Sequence, residues 1–445
     1  MSKLIIDSVA KTIVRMALPM LAGTFAINMY NLTNAWFVSR LGTNALAAIS
    51  FTFPVIMLIS FVIRGFGSGA MTLVAQAFGA KDKNKASELT FHALLFAAFF
   101  AIVISVAGII TIKPVFSRLG ASGEVLVLID GYMKVWYLGA IVMALQMIAS
   151  DIIIATGATK AISALMVGGT VVNVLFDIVF IFGAFGIPGL GIVGAAVSTI
   201  LAQGASLAGA LYILNYRLRM IDLHALSLKS ILVSWKKILF FGVPGALGMV
   251  LTPIASAVII KLVSAYGAKA VAASGVAGRI EMFAFMIPMT VGMSLIPFIA
   301  QNYGAKRMDR IRTARSGAIK FALIYGVFIA AVFLVIINPV SKLFSNDPAV
   351  ISVLRHYIFI TCAGYGFLEV HRYAGFCMTG VSEPVQATIL NIIRVICLLI
   401  PLSIIGGRIF HLDGVFIGRL VADIAAGCIG ILWTRRILKY KSTAH

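Results

Sequence analysis

Val171-Val172-Asn173-Val174-Leu175-Phe176-Asp177-Ile178-Val179-Phe180-Ile181-Phe182 sets a carboxylate in the middle of a long apolar run, with an amide one helical turn before it. An aspartate near the centre of a membrane helix costs about 2.5–3.5 kcal/mol on insertion scales, so it is expected to face a cavity or the interior of a helix bundle. Asn173 and Asp177 are spaced i, i+4 and share one helix face. Two uses fit such a pair: glue between helices, or the handling of a proton or ion. The cost of the carboxylate favours the second.

The rest of the chain has the same character. Its 445 residues are 61% hydrophobic and 11% charged, a composition that excludes a soluble globular domain. Runs long enough to cross ~30 Å of hydrocarbon recur about twelve times. The first lies near residues 12–38 and the last near 412–434. The net charge of +21 would suggest nucleic acid in a soluble protein. Here it is explained by basic residues retained in loops on one side, so no nucleic-acid partner is expected. Lys81, Lys83 and Lys85, then Arg217, Arg219 and Lys229, then Lys306, Arg307 and Arg310, and finally Arg435 and Arg436 follow alternate spans. That pattern places both termini in the cytoplasm of a cell (inner) membrane, with lipid as the surrounding partner.

The halves repeat. Pro19 and Pro244 lie 225 positions apart, and at the same offset Ala75-Gln76-Ala77-Phe78-Gly79-Ala80-Lys81 meets Ala300-Gln301-Asn302-Tyr303-Gly304-Ala305-Lys306. The fold class that follows is an all-α polytopic membrane protein, two six-helix lobes related by a pseudo-two-fold axis along the membrane normal. The division runs 1–216 for the N-terminal lobe, 217–235 for a cytoplasmic linker and 236–445 for the C-terminal lobe. Two such halves suit alternating access around a cavity, here as a monomer.

Several chemistries find no support. There is no G-x-x-x-x-G-K-[ST] loop for a nucleotide. Arg64-Gly65-Phe66-Gly67-Ser68-Gly69 lies inside an apolar segment, where glycines permit close helix packing. The four cysteines and six histidines have neither disulfide nor metal spacing, and no catalytic constellation is evident, so neither an enzyme, a metal site nor a cofactor is expected.

Polar residues inside the spans mark the remaining candidates. Asn28, Asn31 and Asn34 form a stripe on the first span, with Tyr30 and Thr33 close by. Pro19 weakens the helix ladder before them, so the span is expected to bend and to be distorted between Pro19 and Asn34. In the second half, Glu369, Arg394, Arg419 and Asp423 lie within apolar segments and are expected to pair with one another or to line a wet cavity, as a second-lobe polar site. Arg279 and Glu281 are a further possible pair.

With these residues in view, the sequence resembles the multidrug and toxic compound extrusion (MATE) family over nearly its whole length. Asn31-Leu32-Thr33-Asn34-Ala35-Trp36-Phe37-Val38-Ser39-Arg40-Leu41-Gly42 resembles the family's first-span signature, and Gly194-Ala195-Ala196-Val197-Ser198-Thr199 its sixth-span pattern. Asn173 and Asp177 match the Asn-x-x-x-Asp of the DinF-like branch. The resemblance implies cation-coupled efflux of small-molecule drugs or toxins, often cationic. It also implies a proton site with Asp177 as carboxylate, Asn173 as its hydrogen-bond partner, Tyr132 and Thr199 as neighbours, and Pro19 as the bend. One departure is sharp: the signature usually has aspartate where this chain has Asn34. Either Asp177 alone carries the proton, or Asn34 stands in for a protonated aspartate, sharing a network with Asp177 through Asn173. The seventh span lacks the acid of the sodium-coupled NorM-like branch, while Glu369 on the tenth span roughly matches that branch's other acid; protons are preferred over sodium as coupling ion. A sodium-coupled antiporter and a lipid-linked oligosaccharide flippase are the alternatives.

Overall fold

The computed structural model describes residues 3–221 and 227–443. Ten of its helices are long and apolar enough to cross a membrane, and a bent pair, Ala268–Ala284 and Met286–Gly304, makes one more crossing. The longest, Pro384–Thr443, holds two helices, because Phe410 and His411 leave helical dihedrals inside it. The described residues therefore form twelve spans, and the all-α reading stands. The one departure is a two-residue antiparallel ladder, Gly183–Ala184 against Ile187–Pro188, between the fifth and sixth spans.

The chain forms two compact units, Arg15–Ala246, and Lys3–Val14 with Leu247–His445. The first span, Val9–Ser39, and the seventh, Leu228–Ser264, each begin in one unit and end in the other. The seventh span starts eight residues earlier than the sequence division had it, inside the stretch read as linker. The first span continues through Pro19 as one helix to Ser39, so the distortion expected between Pro19 and Asn34 is not a break in the helix. Ser163 donates a hydrogen bond to the carbonyl of Pro19.

The repeat is written into the backbone of each unit. Gly42 at φ 101° and Gly267 at φ 96° precede the second and eighth spans, a conformation that glycine adopts at no steric cost. Gly79 and Gly304 end those spans, and Lys81 at φ 64° and Lys306 at φ 58° turn the chain left-handed after them. The turns close alike: Asp82 N–H reaches Ala77 O at 3.0 Å, and Arg307 N–H reaches Asn302 O at 2.8 Å. These are the bonds that satisfy the last carbonyls of a helix. The next helices start at Lys83 and Met308, and those after them at Gly123 and Pro348. Every one of these pairs is 225 positions apart.

One difference between the halves has a local cause. The second span runs unbroken from Thr43 to Gly79, whereas the eighth breaks at Phe285. Pro288 has no N–H to offer the carbonyl of Ala284 four residues back. The hydroxyl of Tyr325 takes that place, donating to Ala284 O at 2.7 Å. A freed carbonyl in a membrane helix needs such a partner, because lipid offers none.

Candidate functional site

Asp177 is the last residue of the helix Thr159–Asp177, and the chain winds into a π-helical turn over Ile178–Phe182 immediately after it. Such turns widen the backbone and recur at functional positions. The sixth span, which starts at Gly191, comes close to this turn. A Cβ on Gly194 would lie 2.0 Å from the carbonyl oxygen of Phe180, so the contact requires glycine. Ser198 is one helical turn beyond Gly194 and shares its face. That geometry delivers the Ser198 hydroxyl to Oδ1 of Asp177, to which it donates a hydrogen bond.

The first span supplies the other donor. Asn34 Nδ2 reaches Asp177 Oδ2 at 3.3 Å and the Tyr30 hydroxyl at 3.0 Å. Tyr30, one turn before Asn34, also shares a hydrogen bond with Thr199 Oγ1 at 3.2 Å. The network thus runs Thr199, Tyr30, Asn34, Asp177, Ser198, across the first, fifth and sixth spans. Asp177 is 0% exposed and Asn173 5%. Burial of a carboxylate is tolerable here because both oxygens accept hydrogen bonds. Asn173 Oδ1, by contrast, is buried with no hydrogen-bond partner.

The predicted residues fall into place unevenly. Asp177, Asn34 and Thr199 meet in one network. Asn34 contacts Asp177 directly rather than through Asn173, which corrects the expected route. Tyr132 packs beside the site among Phe37, Val38, Ile181 and Ala195 without a hydrogen bond to Asp177. Ser198 was not singled out in the sequence, although the four-residue spacing from Gly194 was available. One position separates it from Thr199, and that is a rotation of about 100° around the helix.

The four charged residues of the second-lobe polar site are each paired: Glu369, Arg394, Arg419 and Asp423 all meet an opposite charge. Arg394, on the π-helical stretch Ile393–Leu399, bonds Asp423 Oδ1 through Nη2 at 2.7 Å and Nε at 2.9 Å. Arg419 Nη2 lies 3.0 Å from Glu281 Oε1, and its Nε lies 3.7 Å from Asp423 Oδ2. Arg419 also donates to the Tyr357 hydroxyl. Tyr357 and Tyr365 in turn donate to Glu281 Oε1 at 3.1 and 2.9 Å. Arg372 Nη1 holds Glu369 Oε1 at 2.5 Å. Three guanidinium groups thus face three carboxylates, and the cluster is neutral as a whole. The partner of Glu281 is Arg419, not Arg279, which is exposed.

Twelve membrane helices in two units of common build, with a hydrogen-bonded carboxylate buried in one, define the architecture of a secondary transporter. The MatE family model matches residues 19–179 and again 244–405, and the chain belongs to that family, the MATE transporters. It is 32% identical over 429 residues to a protein of Shewanella oneidensis named FAD transporter, with 96% of this chain and 95% of that one covered. It is 26% identical over 423 residues to the multidrug export protein MepA of Staphylococcus aureus, covering 93% and 91% of the two chains. Among solved structures, the Vibrio cholerae MATE transporter VcmN in the bent form superimposes with a TM-score of 0.92 at 27% identity, over 98% of both chains.

Proposed function

We propose that this transporter is a proton-coupled antiporter, exporting organic and often cationic compounds through the cell membrane by alternating access, with both termini cytoplasmic. The observation that carries the reading is the pairing of a fully buried carboxylate with an orphaned acceptor one turn away. Ionised Asp177 is satisfied by the Ser198 hydroxyl and the Asn34 amide. A protonated Asp177 gains an O–H that needs an acceptor, and Asn173 Oδ1 is buried without a donor of its own. Nearly all buried polar atoms are paired, so an orphan beside a titratable group points to a second state in which it is used. Asn173 and Asp177 therefore fit a proton acceptor and its partner better than static glue.

The second half supports protons over sodium. Its three buried carboxylates each face an arginine, which leaves no surplus negative charge for a metal cation. The same pairing argues against a flippase, whose arginines would need to be free for pyrophosphate. The relatives named MepA favour varied drugs as substrates. The relative named FAD transporter favours a second reading, in which the cargo is an anionic flavin dinucleotide.

The test is transport by purified protein in liposomes under an imposed pH gradient, with ethidium and FAD assayed in parallel. Gradient-driven movement of either in the wild type, lost in Asp177→Asn at unchanged expression, is the expected result. Movement driven equally by a sodium gradient at constant pH would reject proton coupling, and full gradient response in Asp177→Asn would exclude Asp177 as the coupling group.

A further inference from the structure

The glycine run after Arg64 has two kinds of neighbour. Gly65 and Gly69 do what the sequence suggests: a Cβ on Gly65 would lie 2.6 Å from Gly242 O, and one on Gly69 would lie 2.9 Å from Phe241 Cβ. Gly67 differs. A Cβ there would lie 2.1 Å from Oδ2 of Asp151, so the carboxylate fills the space that a side chain would occupy. Asp151 stands on the fourth span, one turn before its end at Ala155, and is partly buried. Arg64 and Gly67 are spaced i, i+3 on one face of the second span. The second, third and sixth spans pack against the fourth, and Arg64, exposed one turn before Gly67, is a positive charge on the face that carries the notch.

The repeat provides an internal control. At 225 positions further on, Gly67 becomes Gly292, Asp151 becomes Phe376 and Arg64 becomes Met289. A Cβ on Gly292 would lie 2.5 Å from Cε2 of Phe376. The same notch holds a ring in one half and a carboxylate in the other. Packing alone is served by the phenylalanine, whereas a carboxylate inside a span carries a desolvation cost with no gain in packing. The position is telling as well. The fourth and fifth spans join at residues 156–158, with Asp151 just before the join and Asp177 at the far end of Thr159–Asp177. At 1.5 Å of rise per residue the two carboxylates stand roughly 20 Å apart along the spans.

We propose that Asp151, held in the Gly67 notch beside Arg64, is a second proton-binding site of the Arg15–Ala246 unit, near the opposite membrane face from Asp177. The inference rests on proton coupling as proposed above. Under alternating access Asp177 can exchange its proton with either face in turn, and Asp151 adds a carboxylate inside a span near the other face, where a released proton can be passed on. Its chemistry is the gain and loss of one O–H bond. Protonation cancels the attraction to Arg64, and deprotonation restores it.

The experiment uses purified full-length protein in liposomes, with ethidium as probe and the pH on each side set independently. A wild type that does not respond to the gradient overturns the coupling reading and this inference with it. Given a wild-type response, Asp151→Asn is expected to slow gradient-driven transport about a hundredfold or more, the lower end of the range typical of proton-transfer groups. Ethidium binding should stay within about twofold, because only the proton step is removed. The rate should also lose its dependence on pH at one membrane face, and Asp151→Glu should restore part of it. Gly67→Ala, which expels the carboxylate from its notch, should shift the midpoint of that dependence. An unchanged rate and pH profile in Asp151→Asn overturns the proposal. So does an equal loss in Asp151→Asn and Asp151→Glu with loss of monodisperse protein, which assigns the residue to packing.

Discussion

Replacing Arg419 by methionine tests whether the neutral cluster of the second half holds that unit together. The methionine keeps an unbranched apolar stem but removes the charge. Arg419 is 16% exposed and Glu281 10%, so the pair is largely out of water. Without Arg419, Glu281 keeps the hydroxyls of Tyr357 and Tyr365 but has no counter-charge, and the stacking of the guanidinium 5.5 Å above the Tyr357 ring is lost. Asp423 keeps Arg394, so one carboxylate rather than two is stranded. Breaking a buried pair by removing one partner costs about 3–5 kcal/mol. At about 2–4 °C of melting temperature per kcal/mol for a unit of this size, the fall should be about 6–20 °C. Thermal unfolding of the detergent-solubilised protein, followed by intrinsic fluorescence, reads it. Adding Glu281→Gln to Arg419→Met removes the stranded charge and should recover most of the loss, since residues in one network are not additive. A single variant that melts within about 2 °C of wild type, or a double variant worse than the single, would refute the reasoning.

Four further outcomes are expected. Gly194→Ala should lower both melting temperature and efflux, because its Cβ meets the backbone carbonyl of Phe180, while Gly168→Ala, with nothing within 4 Å, should be neutral or stabilising. Asn34→Asp sets a second carboxylate beside Asp177, where the two must share a proton; its efflux-versus-pH curve should gain a second step and higher activity, and unchanged or lower activity would reject the reading of Asn34 as a stand-in. Tyr325→Phe strands the Ala284 carbonyl and should cost about 1–3 kcal/mol in the same melting assay. Lys269 donates to Asp347 between the ninth and tenth spans and holds that exposed carboxyl below its usual range. A lowered pKa stabilises above the unfolded value of about 4 and ceases to do so as pH falls through the folded value. The small difference in melting temperature between wild type and Lys269→Ala should therefore be present at pH 7 and vanish in acid.

The fold was legible because lipid leaves few options: apolar runs of spanning length must be helices, and the 225-residue offset announced the duplication. The family match begins at Pro19 and again at Pro244, the two residues from which that offset was counted. Asp177 and Asn34 were legible for the same reason, as polar atoms where lipid forbids them. Ser198 was not, because a serine in a helix can satisfy itself on its own backbone and signals no cost. The pairing of Glu281 with Arg279 failed on geometry, since residues two apart on a helix face away from each other. Pro288 was there to announce the break at Phe285, but whether a proline bends or breaks a helix depends on who caps the freed carbonyl, and Tyr325 comes from a different span. Asp151 escaped notice because it closes a long apolar run near a helix end, where a carboxylate is unremarkable until its neighbours are known.

The constancy of the offset works like an address system. Helix starts at Thr43, Lys83 and Gly123 have counterparts at Ala268, Met308 and Pro348, so a coordinate in one half names a coordinate in the other. Lengths have been held while side chains drifted, as expected if loops and helix ends are pinned by the two water interfaces of a membrane of fixed thickness. Chemistry can then be relocated without redesigning the scaffold. Phe376→Asp with Met289→Arg would write the carboxylate and its guanidinium into the notch beside Gly292, and the duplicated half, relieved of a phenylalanine ring, would become a ready host for a transplanted proton site.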